Sequence, residues 1–431
     1  MNWEIFIPVG VIVLLMVMNT PIWIALIGGM IPYFLFLGDG LPAQILIQRF
    51  IVVTESSSYL AIPFFVTAGA IMNRAGLSGK MLDVADALVG HWPGALAQVN
   101  VLLSAFMGGV SGSAAADAAS DCKILVPEMA RRGYSMEFCA AVTVASSLIT
   151  PIIPPGMGLI IYSMAAGVSV GRMFAAGYVP GILTMIFFMI YVHFVSKKRG
   201  YVSNRTKAAP FKEVLKLFRH AIWAFLMPFG LLMGLRAGML TASETGAFAC
   251  VYCLAIGALV YKEFKKEDIV PTIVESVMGT ASVMIIMCAA NVLAYFLSYE
   301  SIPRTMTNLI VDLGVGKYGF LIIVNIFIFI LGMFVSNGMI PILAALLSPI
   351  AVSLGIDPVL FGIVVVFGVT IGNMTPPFGL VLYQVAGLTR CNIAKLIKEC
   401  IPFIIIMVIV LFIISFWEGL TLFIPNLIYG A

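Results

Sequence analysis

Four short polar stretches interrupt otherwise apolar runs, and they fall into two pairs. Ser111-Gly112-Ser113 pairs with TPIIPPG at Thr150–Gly156, and Ser336-Asn337-Gly338 pairs with NMTPPFG at Asn373–Gly379. Proline lacks an N–H, so within a helix it frees the carbonyl one turn earlier. Deep in a bilayer such carbonyls need partners, and a hard cation such as Na⁺ supplies one alongside Ser, Thr and Asn oxygens. The candidate Na⁺ ligands are Ser111, Gly112, Ser113, Thr150 and Pro154 in the first pair. In the second they are Ser336, Asn337, Gly338, Asn373, Thr375 and Pro376. Half-helices that begin after Gly112, Pro155, Gly338 and Pro377 aim N–H groups and positive dipole ends into the same space, which suits a carboxylate. Its candidate contacts are Ser113, Asp117, Gly156, Gly338 and Gly379. Taken singly, each break reads more simply as a kink or a close helix contact. Four breaks in two repeat-related pairs favour a site.

Asp117 and Asp121 share one helix face at i, i+4. In lipid each would cost roughly 2.5–3.5 kcal/mol at mid-bilayer, so they must face protein or water. Two readings stand side by side: a polar group on the cation or substrate path, and a solvated, capped hairpin face. Lys123 is placed to pair with an acid. Gly109-Val110-Ser111-Gly112 matches the GxSG pattern of an intramembrane serine protease, but that chemistry needs a base within hydrogen-bond reach. The histidines, His91, His193 and His220, all lie at span ends beside loops. No catalytic residue is assigned, and no cofactor beyond Na⁺ as coupling ion. Cys250 and Cys253 form a CxxC one helical turn apart within a span and read as packing residues, since no second pair follows.

The elements that must hold these residues are apolar helices. Hydrophobic residues make up 61% of the 431, and charged ones only 10% against a soluble norm of about 25%. That excludes a soluble fold and a disordered chain. Continuous apolar runs, rather than alternation, exclude a β-barrel. The fold class is an all-α polytopic membrane protein. About ten full spans lie near 4–18, 21–37, 56–73, 136–165, 178–196, 220–236, 244–261, 271–298, 358–386 and 400–417. The first run lacks a basic leader and reads as a true span, not a signal peptide. Two further stretches, 94–129 and 319–353, have polar centres, and each half is too short to cross a core of about 30 Å at about 1.5 Å per residue. They read as re-entrant hairpins. Amphipathic stretches at 41–54, 77–90 and 301–316 read as interfacial arms, with Arg74, Lys80 and Arg304 as interface anchors. The net charge of +4 carries no nucleic-acid signal, because the basic residues sit in loops between spans.

Basic residues crowd 197–219 and 262–266, which makes both loops cytoplasmic and both termini extracytoplasmic. The chain also repeats itself. PPGMGLIIY (Pro154–Tyr162) recurs as PPFGLVLY (Pro376–Tyr383), and Gly133 matches Gly355 at the same offset of 222. Gly94, Val99, Asn100 and Ser111 match Gly319, Val324, Asn325 and Ser336 at an offset of 225. The loop after the first hairpin is basic (Arg131, Arg132) and its counterpart Ser353–Asp357 is not, so the copies face opposite ways. Inverted-topology repeats mark secondary transporters and alternating access. The chain divides into scaffold spans and arm (1–58), repeat one (59–196), a basic loop (197–219), the scaffold spans of repeat two (220–298) and the rest of repeat two (299–431).

Taken in order, several stretches carry a resemblance: Tyr59–Ser78, LVGHWPG (Leu88–Gly94), GGVSGSAAADAAS (Gly108–Ser120), LVPEMARRGY (Leu125–Tyr134), PIIPP (Pro151–Pro155), and GIDP with TPPFG (Gly355–Pro358, Thr375–Gly379). Over nearly its whole length the chain resembles the DctM-like large membrane subunit of tripartite ATP-independent periplasmic (TRAP) transporters. The resemblance implies Na⁺-driven import of an organic acid across the bacterial inner membrane. It also implies an extracytoplasmic substrate-binding protein, a small four-helix membrane subunit and an elevator motion of the hairpin-bearing domain. The rival readings are a stand-alone sodium–dicarboxylate symporter of the same architecture and a channel, since paired broken helices also line pores.

Overall fold

A computed structural model describes residues 6–18, 20–37, 42–109, 112–333 and 337–430, and no β-strand occurs among them. The chain opens with two short helices packed together, α1 (Phe6–Val17) and α2 (Ile22–Pro32), the latter running on as a π turn to Leu37. These are the described parts of the spans expected at 4–18 and 21–37. Helix α3 (Gln44–Glu55) meets α4 (Ala61–Arg74) through a short 3₁₀ turn, and the two limbs are bent by 53°. The span expected at 56–73 is thus the second limb of a bent pair, because Ser56 adopts an extended conformation between them. Helix α5 (Leu77–Val89) follows. The arms expected at 41–54 and 77–90 are therefore both helical.

Hairpin one consists of α6 (Ala95–Gly108) and α7 (Ala114–Arg131). The broken span behind it is α8 (Met136–Ser147) and α9 (Met157–Ala166), followed by α10 (Val170–Arg199). Three long helices follow, α11 (Phe211–Arg236), α12 (Ala242–Ala255, extended by a π turn to Val260) and α13 (Ile269–Tyr299). Next come the third arm, α14 (Ile302–Asp312), and hairpin two, α15 (Lys317–Gly332) and α16 (Ile340–Ser353). The second broken span is α17 (Pro358–Gly372) with α18 (Leu380–Thr389), then α19 (Ile393–Phe416) and two short helices, α20 (Glu418–Thr421) and α21 (Phe423–Tyr429).

Length separates the helices into two kinds. Five are long and apolar enough to cross a membrane alone: Val170–Arg199, Phe211–Arg236, Ala242–Val260, Lys266–Tyr299 and Ile393–Phe416. They coincide with five of the ten expected spans. The limbs of hairpin two have 16 and 14 residues and α6 has 14, but α7 has 18 and is longer than the half-length expected from sequence. A 14-residue helix reaches about 21 Å, short of the ~30 Å core. Helix starts follow local chemistry. Ser113, Ser169, Thr241, Asp357 and Asn392 each cap the helix that follows, and Thr241 with Glu244 forms a full capping box.

Two helices, α8 and α17, are buried all round: every residue from Phe138 to Ser147 and from Val359 to Gly372 is buried. Each packs against both limbs of its own hairpin, α8 on α6 and α7, α17 on α15 and α16. Helices α11 to α13 instead show exposed apolar side chains such as Phe229, Val251 and Val270, the surface a helix presents to lipid. Helix α4 lies against α12 and α13, and the ion pair Arg74–Glu275 (2.5 Å) joins α4 to α13. Cys250 packs its Sγ 3.0 Å from the Phe64 carbonyl and Cys253 is buried, as packing residues should be. Lys123 is exposed and makes no ion pair among the described residues, contrary to the pairing with an acid expected from sequence.

Candidate functional site

Hairpin one turns through Gly112, whose φ of +59° is a left-handed conformation that favours glycine. A methyl group at Gly112 would lie 2.6 Å from the carbonyl oxygen of Pro155, so the tip rests directly on the proline break of the next span. Gly108 sits equally close to Ile153 on the other side of the turn. The first pairing read from sequence, tip with break, is present in three dimensions. Ser111 lies outside the described residues. Ser113 caps α7, accepting from the Ala116 N–H at 3.4 Å.

Just inside that cap is a buried polar cluster. Thr150, in the break, places Oγ1 2.8 Å from Asp117 Oδ2 and 3.2 Å from the Ser104 carbonyl, so its one proton serves either. Ser104 Oγ lies 3.4 Å from Asp121 Oδ2. Asp117 and Asp121 are each only 2% exposed, which removes the solvated hairpin face as a reading. Among the described residues neither makes an ion pair, and Asp117 Oδ1 has no hydrogen-bond partner there. An uncompensated buried carboxylate is costly. The Pro154–Pro155 bond beside it is cis, as is Pro376–Pro377 in the second copy.

The second copy is built differently. Its break folds on itself: the Asn373 carbonyl accepts from the N–H groups of Val381 (3.1 Å) and Leu382 (3.3 Å), and Thr375 Oγ1 donates to the Ile371 carbonyl at 2.9 Å. Asn373 and Thr375 are both buried. Gly379 ends the break, with its N–H donating to the Thr375 carbonyl at 3.1 Å, as Gly156 ends the first against the Pro151 carbonyl. Helix α15 reaches α17 through two glycines, because a methyl at Gly372 would come within 2.0 Å of the Gly332 carbonyl oxygen. Ser336 lies outside the described residues, and Asn337 opens a 3₁₀ turn (Asn337–Met339) that packs on α17. A methyl added at Gly338 would meet Ile22 of α2 and Ile286 of α13, because the second limb of hairpin two lies against α13.

What the sequence did not disclose is an exchange between the copies. Helix α9 packs on α16, and α18 packs on α7, so each half-helix beyond a break lies on the other copy's hairpin. Gly158, where α9 begins, would place a methyl 2.9 Å from Val366 and 3.2 Å from Ile340. Gln384 on α18 donates to the Ala115 carbonyl at 3.0 Å, two residues before Asp117. Tyr162 on α9 bonds Ser348 Oγ and the Pro358 carbonyl, each at 3.3 Å. The matched asparagines are structural. Asn100 donates to Thr143 Oγ1 (2.9 Å) and accepts from Ser146 Oγ (2.7 Å), while Asn325 donates to Ser415 Oγ (3.0 Å). Their equal spacing from the hairpin tips was the signal in the sequence.

The described family whose sequence model matches residues 9–420 is "Tripartite ATP-independent periplasmic transporter, DctM component". The chain belongs to this family. Among its relatives is the C4-dicarboxylate TRAP transporter large permease protein of Rhodobacter capsulatus, 31% identical, with 97% of this chain and 98% of the relative covered. The sialic acid large permease protein of Vibrio cholerae is 30% identical, with 92% and 93% covered. The isethionate permease protein of Oleidesulfovibrio alaskensis is 33% identical over 96% of this chain, and the chain spans 65% of that protein's length. These DctM-family relatives are permeases, not enzymes, which sets the protease reading aside. In overall shape the chain is similar to the Alcanivorax borkumensis YdaH transporter, with a TM-score of 0.66 at 15% identity over 96% of this chain and 98% of the other.

Proposed function

We propose that this DctM-family subunit imports an organic acid in symport with Na⁺, moving its hairpins and broken spans as an elevator within a frame of α1–α4 and α11–α13. The observation that carries the reading is the Asp117 carboxylate, buried where tip one meets break one, with one oxygen unpartnered among the described residues. A cation there supplies the missing countercharge, and Thr150, Ser113 and the carbonyls of 150–156 supply neutral oxygens. In the second copy Asn373, Thr375 and the carbonyl before Pro376 form the corresponding ligand set. Gly338 contributes only through its backbone, since a methyl added there would meet apolar side chains.

The repeats are read as inverted, with both termini on the periplasmic side, giving two oppositely facing states of similar energy. Two pockets suggest two Na⁺. Two Na⁺ with one monoanion move one net charge, worth about 2.3 kcal/mol per 100 mV before the concentration gradient is added. The substrate arrives on a periplasmic binding protein, and a small four-helix membrane subunit completes the complex. The relatives' names support carboxylates and an alkyl sulfonate as the substrate class.

The test is uptake into proteoliposomes holding the chain with its small subunit and binding protein, using labelled C4-dicarboxylates, sialic acid, isethionate and sugar acids. Uptake that needs both a Na⁺ gradient and the binding protein supports the proposal. Uptake without the binding protein makes the chain a stand-alone symporter, and coupling to protons alone removes the Na⁺ role of both pockets.

A further inference from the structure

A groove on the outer side of the frame takes no part in the site above. It is a cavity of about 610 Å³ between α4, α12 and α13, walled by apolar side chains such as Ile71, Leu254 and Ile273. Lys265 and Lys266 border it at the start of α13, within one of the two basic loops. Both lysines are exposed, and neither makes an ion pair among the described residues. Lower in the wall is Thr272, only 4% exposed, whose hydroxyl has no hydrogen-bond partner among the described residues. A buried hydroxyl in an apolar wall with no partner is an unmet hydrogen bond.

Depth separates the possible occupants. Along α13 the lining runs from Lys266 to Val277, about 16 Å at 1.5 Å per residue. That is half of a ~30 Å hydrocarbon core, or one leaflet. A partner's transmembrane helix would need a groove through the full core.

We propose that this groove holds one anionic glycerophospholipid from the leaflet on the basic-loop side. Its phosphate lies between Lys265 and Lys266, an ester carbonyl accepts from the Thr272 hydroxyl, and one acyl chain lies along Ile71, Leu254 and Ile273. Basic residues beside an intramembrane groove are the usual lipid-headgroup recognition pattern. The lipid joins α4 to α13, the two helices already linked by Arg74 and Glu275.

The test is native mass spectrometry of the detergent-purified complex of full chain and small subunit, titrated with dioleoylphosphatidylglycerol or dioleoylphosphatidylcholine. One phosphatidylglycerol per chain is expected at concentrations where phosphatidylcholine is not retained. Replacing both surface lysines by glutamine (K265Q/K266Q) should weaken phosphatidylglycerol binding about 30-fold, at about tenfold for each 1.4 kcal/mol and the usual strength of a lysine near an anionic headgroup. Ala258→Trp, in the groove wall, should expel the lipid without touching a charge. Equal retention of the two lipids, or unchanged phosphatidylglycerol binding in K265Q/K266Q, overturns the proposal. So does a photo-crosslinker at position 258 that captures a protein subunit instead of a phospholipid.

Discussion

Adding one methyl group at Gly112 tests whether the contact between tip one and break one forms the ion site. Two effects act in Gly112→Ala. The residue sits at φ +59°, and an L side chain in the left-handed region costs roughly 1–2 kcal/mol. The new Cβ would also lie 2.6 Å from the Pro155 carbonyl oxygen, a backbone atom that cannot rotate away. Overpacking of this kind costs about 1–3 kcal/mol. Gly133 separates the two effects: it has φ +84° and nothing within 4 Å of its added Cβ, so Gly133→Ala carries the backbone cost alone. The difference between the variants is the contact itself, about 1–3 kcal/mol, or roughly 5- to 160-fold in an equilibrium constant. If the Na⁺ pocket closes only when tip and break touch, the Na⁺ concentration for half-maximal uptake in proteoliposomes should rise by that factor in Gly112→Ala relative to Gly133→Ala. Both proteins must insert and run as single peaks on gel filtration. Equal Na⁺ dependence in the two would refute the claim that this contact builds the site.

Asp117→Asn keeps a side chain able to accept from Thr150 but removes the charge, so Na⁺-dependent uptake should fall at least tenfold with the fold intact by circular dichroism. Normal Na⁺ coupling in that variant would place the ion elsewhere. Thr150→Val deletes a hydrogen bond to a buried carboxylate, worth about 1.5–3 kcal/mol, and should weaken Na⁺ binding by one to two decades in a Na⁺-titrated thermal shift. Thr150→Ser should restore most of it, which a purely steric role would not require. Gln384→Leu breaks the bond to the Ala115 carbonyl that crosses between copies, and should lower uptake a few-fold for about 1 kcal/mol. Gly372→Ala meets the Gly332 carbonyl at 2.0 Å and should cut the yield of monodisperse protein sharply, while Gly387→Ala, with open space around it, should not.

The helix breaks near Gly112, Pro154–Pro155 and Pro376–Pro377 were legible in the residues because each is settled locally. In lipid every backbone group must be satisfied within its own segment, so Pro154, Pro155 and Gly112 mark the ends of helices wherever those helices later pack. The short limbs of hairpin two likewise follow from spacing alone. The equal placement of Asn100 and Asn325 was legible too, but not its use: Asn100 bonds α8 of its own copy, whereas Asn325 bonds Ser415 on α19.

Partner choice between helices was decided only in three dimensions. Thr150 meets Asp117 across 33 residues, and Gln384 meets Ala115 across 269. Gly338 lies beside Ile22 of α2 and Ile286 of α13, neighbours that its position in the chain does not announce. Water-soluble helices announce their buried face by a stripe of apolar residues. Helices such as α8 and α17 are buried on every side with no apolar stripe to mark a face, and without a hydrophobic force between helices in lipid their association rests on small-residue contacts and a few hydrogen bonds. Such contacts are specified by shape rather than by pattern. The sequence by itself therefore determined that the helices break near Gly112, Pro154–Pro155 and Pro376–Pro377, and the tertiary structure alone decided how far α10, α11 and α19 extend and which break faces which hairpin.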